Sequence, residues 1–467
     1  MRLAIHGGQK AVPGIHGKPR PKIGVAEFMS LAERFGYSAK TRARIKAAIE
    51  KEGGARGPYL ANYLSGLAET KVRTFERIAR KTFGVKYAIG VSSGTGALHS
   101  AFVAAGVGPG TEVIISAIGF AATAMTVVEA GGVPIFCDVD ESFHMDPRKI
   151  EALITKRTVA ISPTHVMGGV ADMGAIMKVA RRRRLKVVED CAQSCGARFG
   201  GRFVGTIGDI GCFSISAYKI VGGGEGGLIL TNDKRLWERA NQYAEAGGLW
   251  RPDRFAPPRR EGELFSGTNY RLSELEAAVD VVQLRKMPAL IRRHNAVMHR
   301  VLSQLKPYRE IVPRKLNDPE GEIGYLLRFY PETVELGGKI VAALGAEGIQ
   351  CNMRGPGKPP DWHIYHHMFP VTLKTSRSPQ GCSFNCPVYL QRGGHVKYRR
   401  GDCPVADDLF ERVIHVPLKP WYTAADCNSI AKGLNKVLSA YCTPDPEARA
   451  WIRKGNAVCA GLVSRPL

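Results

Sequence analysis

Lys219 heads the run KIVGGGEGG, Lys219 to Gly227, and a lysine amine is one of the few side-chain groups able to condense with a carbonyl and then relay a proton. Two other segments supply what such an amine would need. LKVVED ends at Asp190, where a carboxylate can keep a pyridine nitrogen protonated and the ring an electron sink. SSGTG, Ser92 to Gly96, follows a strand-like run and opens a helical one, so its backbone can approach a phosphate while the helix start adds amides and a favourable dipole. Taken singly these are a solvated lysine, a helix-capping Asp and a turn. Together in one β/α chain they fit the binding of pyridoxal phosphate, with Lys219 forming the Schiff base and then acting as general base and acid.

Further residues fall into place around that reading. Thr95 and Gly96 are expected phosphate contacts, and Ser214, five residues before Lys219, offers a hydroxyl to the same group. Gln193, three residues past Asp190, is placed to donate to the phenolic oxygen of the ring, and Phe120 to stack on its face. Alternation along LKVVED turns Glu189 away from the side that Asp190 faces.

The elements that must position these residues are legible as alternating patterns. From Lys86 to Asp233 the apolar runs YAIGV, EVIIS, VPIFCDV, VAISPTH, LKVVED, GCFSIS and GGLILTND are interleaved with helical stretches, which predicts a mainly parallel sheet wrapped by helices. Ligands of such sheets collect at the carboxyl ends of the strands, where SSGTG, His165, Asp190 and Lys219 fall. An N-terminal arm, 1–38, precedes a large cofactor-binding domain, 39–286, which begins with helices over Ala39 to Glu52 and KVRTFERIARKTFGV. A smaller α/β domain, 287–442, is signalled by the strand GYLLRFY and by helices at Val334 to Glu347 and Thr423 to Ala440. The stretch 369–407 has no periodicity and is expected to shape a substrate mouth; 443–467 forms a tail.

Composition narrows the class. The chain has 467 residues, 66 Lys and Arg against 42 Asp and Glu, and a net charge of +24. That charge suits an anionic cofactor or substrate, although the basic residues are spread along the chain and no nucleic-acid-binding motif accompanies them. No run is apolar enough to span a bilayer and the N-terminus lacks the apolar stretch of a signal peptide, so a cytoplasmic protein without membrane or nucleic-acid partners is expected. The eleven cysteines read as reduced thiols; Cys382, Cys386 and Cys403 with His395 could be drawn as a metal cluster, but no second matched pair follows, so no metal is expected.

The motifs FGVKYAIGVSSGTGALH, GVGPGTEVIIS, HVMGGVADM, VVEDCAQSCGARFGGRFVGTIGDIGCFSIS, YKIVGGGEGGLILTND and SGTNYRLSELEAAV, from about Thr74 to Leu284, resemble the DegT/StrS family of pyridoxal-phosphate-dependent sugar aminotransferases. The resemblance implies the aspartate-aminotransferase fold, with Lys219 as the Schiff-base lysine, Asp190 at the pyridine nitrogen, Gln193 at the phenolic oxygen and Phe120 as the stacking ring. It also implies phosphate contacts from Thr95, Gly96 and Ser214, and a homodimer in which Asn269 reaches the phosphate of the partner subunit. The implied reaction carries an amine from Glu or Gln to a keto sugar or keto-cyclitol. Relatives that dehydrate deoxysugars carry histidine at the Schiff-base position, which Lys219 argues against; a silent cofactor-binding regulator is the other alternative. ISAIGF departs from the family's PSFTF, keeping only the final Phe120, and DWHIYHHMFP replaces a shorter histidine-containing loop. His363 and His366 are therefore only suggestive as substrate contacts.

Overall fold

The computed structural model describes residues 2–12, 14, 23–52, 57, 60, 69–375 and 381–452. Parts of the expected arm, of the segment 369–407 and of the tail lie outside them. The chain divides into two compact units, Met1–Leu67 and Ala68–Leu467. The first contains the helices Val25–Arg34 and Ala39–Glu52, the latter with the expected bounds.

The second unit is built on a seven-stranded sheet: β1 Tyr87–Val91, β2 Glu112–Ser116, β3 Val133–Cys137, β4 Thr158–Ser162, β5 Lys186–Asp190, β6 Ile210–Ser214 and β7 Gly227–Thr231. Their order is β1-β7-β6-β5-β4-β2-β3. Six strands are parallel; β7 runs antiparallel to both neighbours, because the chain returns from β6 through the short Lys219 turn and not through a helix. Every residue of β2 and β7 is buried, as expected of strands covered on both faces. Helix starts are fixed by side chains: Ser93, Asp146, Asp172 and Asp233 each accept a backbone N–H from the first turn of the helix that follows.

Helix Glu274–Leu302 joins this sheet to a second one. Its first half packs Ala277, Val281 and Leu284 into the core beside Phe75 and Leu228, and its second half packs Val297 and Val301 with Leu434 and Leu438. Met287, the expected start of the smaller domain, lies within this helix. The second sheet is wholly antiparallel, with β8 Ile311–Pro313, β9 Leu326–Pro331, β10 Asn352–Met353 and β11 Ile414–Pro417 in the order β8-β9-β11-β10.

The described part of 369–407 packs against the large sheet. It lies along the β2/β3 side of the large sheet, with Phe384, Cys386, Tyr389 and Cys403 buried. The Tyr389 hydroxyl donates to Glu112 Oε1 at 3.0 Å and the Tyr398 hydroxyl to the Pro134 carbonyl at 2.7 Å. Its aperiodic sequence reflects short helices, Phe369–Thr372 and Pro387–Gln391, anchored by single aromatic side chains.

Candidate active site

Asp190, at the carboxyl end of β5, is buried and held from two sides: the Thr123 hydroxyl donates to Oδ2 at 2.6 Å and the Ala192 N–H to Oδ1 at 3.1 Å. Both donors orient the carboxylate and leave lone pairs for one more donor. The neighbouring Glu189 has a different task, as its alternating orientation predicted. Fully buried, it accepts the N–H groups of Gly205, Ile207 and Gly208 and bonds His165 Nε2 at 3.1 Å, tying the loop after β5 to the end of β4. The Ala171 N–H donates to His165 Nδ1, so the ring proton sits on Nε2, facing Glu189.

Gln193 receives the Met167 N–H on Oε1 at 3.0 Å. A backbone N–H can bond only an acceptor, so this contact fixes the amide and leaves Nε2 as a donor without a hydrogen bond among the described residues. Met167 holds this position in the left-handed region, at φ 52°, a strained conformation for a side chain of its size. Loop Pro163–Gly168 thus orients Gln193 while the His165 N–H holds the Asp190 carbonyl at 2.9 Å.

The Ser92–Gly96 turn opens helix Gly94–Ala104. Ser93 Oγ takes the Gly96 N–H at 3.0 Å and the Ser93 carbonyl takes that of Ala97, so Gly94 and Thr95 are the first-turn amides that remain for a ligand. Thr95 is exposed and Gly96 buried. Sequence reasoning chose Gly96 and passed over Gly94, yet a Cβ on Gly94 would stand 2.7 Å from that of Ser214. Only glycine lets the helix start approach β6 this closely, and that contact brings Ser214 to the turn.

Lys219 lies at the tip of an excursion between β6 and β7 whose neck is closed by three backbone bonds: Ile215 N–H to the Gly226 carbonyl, Ala217 N–H to Gly224 and Gly223 N–H to Ile215. Its own N–H is held by the Ser216 carbonyl at 2.9 Å, and its ammonium lies 5.1 Å from the centre of the Tyr218 ring.

Phe120 is 46% exposed, and its ring centre is 5.3 Å from that of His363. The two are brought together by backbone pairing, since the Gly119 N–H donates to the His363 carbonyl and the Tyr365 N–H to that of Ala117. His363 Nδ1 in turn bonds Asp361 at 2.8 Å. His366 turns elsewhere, to 3.5 Å from Asp407, where burial lowers its pKa to about 4. Asn269 is exposed, with Oδ1 accepting the Arg271 N–H at 3.2 Å; the next residue, Tyr270, accepts the Ser92 N–H with its carbonyl at 2.7 Å. Asn269 therefore flanks the glycine turn without a hydrogen bond to it among the described residues.

Cys382, Cys386, Cys403 and His395 do not converge on one point; among the described residues the metal-ligand types gather only as His165, Glu189 and Cys191. There the histidine and carboxylate are already consumed by each other and by the loop amides. The residues present do fit pyridoxal phosphate: a buried carboxylate with an open lone pair, an amide donor without a hydrogen bond among the described residues, an exposed aromatic face, an uncapped pair of amides beside Ser214, and a lysine on a tied turn, all at the carboxyl edge of one sheet.

Over residues 64–355 the chain matches the DegT/DnrJ/EryC1/StrS aminotransferase family. It belongs to that family. This aminotransferase is an enzyme dependent on pyridoxal phosphate, with the fold of its structural neighbours: a large mixed sheet and a smaller sheet domain. GDP-perosamine synthase of Caulobacter vibrioides is 35% identical over 304 residues, 63% of this chain and 77% of that protein. L-glutamine:2-deoxy-scyllo-inosose aminotransferase of Streptoalloteichus tenebrarius is 39% identical over 245 residues, 50% and 57% of the two chains. The crystal structure of DesV from S. venezuelae, in complex with a ketimine intermediate, superposes with a TM-score of 0.64 at 26% identity, covering 87% of this chain and 96% of that one. No helix among the described residues is long and apolar enough to cross a membrane.

Proposed function

We propose that this aminotransferase moves an amino group from glutamate or glutamine to a keto sugar or keto-cyclitol, with Lys219 and Asp190 as its catalytic residues. The observation that carries the assignment is the convergence of Asp190, Gln193, Ser214, Lys219 and the Ser92–Gly96 turn on one edge of the sheet. The names of two relatives, one acting in perosamine formation and one on 2-deoxy-scyllo-inosose, support the substrate class.

Bound pyridoxal phosphate supplies an electron sink for the bond made and broken at the amine-bearing carbon. Asp190, oriented by Thr123 and Ala192, would accept a hydrogen bond from the pyridine nitrogen. Gln193 would donate Nε2–H to the phenolic oxygen, and Phe120 would cover one ring face and exclude water from it. Thr95, Gly96 and Ser214 Oγ would hold the phosphate, with the amides of Gly94 and Thr95 as the donors left open by the helix cap. Lys219 would hold the cofactor through its amine and, when that amine is free, would serve as the base and acid that moves the proton. Asn269, exposed beside the turn, is assigned to the phosphate of a partner subunit, which makes the working unit a homodimer. A division into a cofactor domain, 39–286, and a smaller domain, 287–442, belongs to the same proposal.

The test is the visible absorption of the purified protein with pyridoxal phosphate, before and after L-glutamate or L-glutamine, followed by a panel of keto sugars and keto-cyclitols. The wild type should show a lysine-linked band that the donor bleaches and an acceptor restores, and Lys219→Ala should lack it. Bound cofactor that no donor bleaches would overturn the assignment in favour of a silent binding protein.

A further inference from the structure

Helix Glu274–Leu302 aims two carboxyl groups, Glu276 and Asp280, one turn apart, at the neck of the Lys219 excursion. A Cβ on Gly223 would stand 2.0 Å from Asp280 Oδ1 and 2.7 Å from Glu276 Oε1, and one on Gly224 would stand 2.5 Å from Glu276 Oε2. The carboxyls therefore occupy the space that side chains on the turn would fill, and the glycines between Lys219 and β7 have a steric cause. Asp280 is fully buried, and Asp280 Oδ1, Asp280 Oδ2 and Glu276 Oε1 have no hydrogen-bond donor among the described residues. Among the described residues no cation faces them: the charge acting on Asp280 is that of Glu276, and on Glu276 it is that of Glu225, whose backbone N–H favours the charged form of Glu276. Glu274, on the same helix, is turned to the Lys71 and Val72 amides of the helix packed alongside.

A fully buried carboxylate beside a half-buried one cannot stay ionised together with its neighbour without an unrelieved cost, as for other closely placed like charges away from water. One proton resolves the arrangement. We propose that Asp280 and Glu276 share a proton, Asp280 donating to Glu276, and that this bonded pair is the positioning element that holds the glycine neck and so fixes Lys219. The inference rests on Lys219 being the cofactor-bearing lysine for its catalytic consequence, but the shared proton stands apart from it. Burial and the neighbouring Glu276 both push the Asp280 carboxyl well above the ordinary carboxylate range, in the direction the shared proton requires.

A group whose folded pKa is raised above its unfolded value contributes stability that is lost as pH rises between the two, so the pair predicts a downward slope above the ordinary carboxyl range that flattens once both carboxyls are ionised. Asp280→Asn carries a permanent N–H donor in the same shape and removes the proton from the equilibrium. The experiment is urea unfolding of the full chain, without and with pyridoxal phosphate, from about pH 5 to about pH 9, for wild type, Asp280→Asn and Glu276→Gln. Expected are a slope in the wild type that is absent in both variants and, in the holoenzyme, a pH dependence of the visible band that Asp280→Asn also abolishes. The same slope in wild type and Asp280→Asn overturns the shared proton, and so does wild-type stability that rises with potassium or sodium chloride while Asp280→Asn does not respond, which would assign the oxygens to a cation. A slope lost as expected with no change in the visible band would overturn the positioning of Lys219 while leaving the shared proton. If Lys219→Ala showed the cofactor role to be wrong, the apo-protein slopes would still stand or fall by themselves.

Discussion

Thr123 Oγ1 donates a 2.6 Å hydrogen bond to Asp190 Oδ2, joining the helix that follows the Phe120 loop to the end of β5. Both residues are buried, at 4% and 3% exposure, so water cannot take over the bond. The group assigned to the pyridine nitrogen is thus oriented by the helix that begins two residues after Phe120, the ring assigned to stacking.

Thr123→Val keeps the shape of the side chain and removes the donor. A hydrogen bond to a charged group contributes about 1.5–3 kcal/mol, so pyridoxal phosphate should bind about tenfold more weakly or worse. Equilibrium titration of the apoenzyme measures this, and an unchanged dissociation constant would refute the role given to Thr123.

Lys219→Ala should leave the fold intact, since the backbone bonds that close the neck of its turn do not involve its side chain. The half-reaction with the amino donor, followed by single-turnover absorption, should slow by about a hundredfold or more, the scale of a lost general base. Retention of wild-type turnover would exclude Lys219 from the chemistry.

Gly94→Ala places a methyl group 2.7 Å from Ser214 Cβ and 3.0 Å from its Cα. The backbone must shift at a cost of about 1–3 kcal/mol, and the shift parts the turn from Ser214. Inorganic phosphate and pyridoxal phosphate should both bind less well, whereas Gly108→Ala, with open space around its Cα, should be neutral. Equal affinities in the two variants, read by competition titration, would contradict the assignment of this turn to the phosphate.

Glu189→Ala removes the acceptor shared by three backbone amides and His165. Leaving that many buried donors unpaired should destabilise the protein by about 3 kcal/mol or more, with the loss visible in apo-protein unfolded by urea. A loss confined to activity, with normal stability, would mean that Glu189 belongs to the chemistry after all.

Acid sensitivity should come from buried neutral histidines. Burial lowers the pKa of His294 to about 4 and that of His415 to about 3. Since their folded values lie below the unfolded one, the unfolded chain binds more protons below about pH 6.5, and stability must fall as pH drops from there. Each site should contribute up to roughly 1.4 kcal/mol per pH unit, so His294→Gln and His415→Gln should each flatten the acid limb of the stability curve. Parallel limbs in wild type and variants would show that other groups govern it.

The sheet and most of its helices were legible because fully buried strands write continuous apolar runs and their helices write capped, periodic ones. Helix Ala39–Glu52 has the expected bounds, and Val334–Ala346 differs by one residue. The antiparallel direction of β7 leaves no mark in GGLILTND, since direction is set by the length of the preceding connection. Local motifs pointed to Asp190, Gln193, Ser214 and Lys219, but not to their supports. Thr123 meets Asp190 across 67 positions, and nothing in AATAMTVVE marks that threonine. Gly94 was passed over for Gly96 because spacing alone does not reveal which glycine touches another strand. His363 was read as merely suggestive; backbone pairing with Gly119 is what sets it beside Phe120.

The segment laid along β3 has a consequence for the life of the protein outside its reaction. A sheet that stops at a bare strand offers its free backbone groups to any extended chain, the usual beginning of aggregation. Here the Tyr398 hydroxyl occupies the Pro134 carbonyl, and the amides of Val405 and Ala406 are tied to Asp138 just beyond the strand. The aperiodic stretch works as a hem, covering part of the raw margin of the sheet where an extended chain could otherwise add.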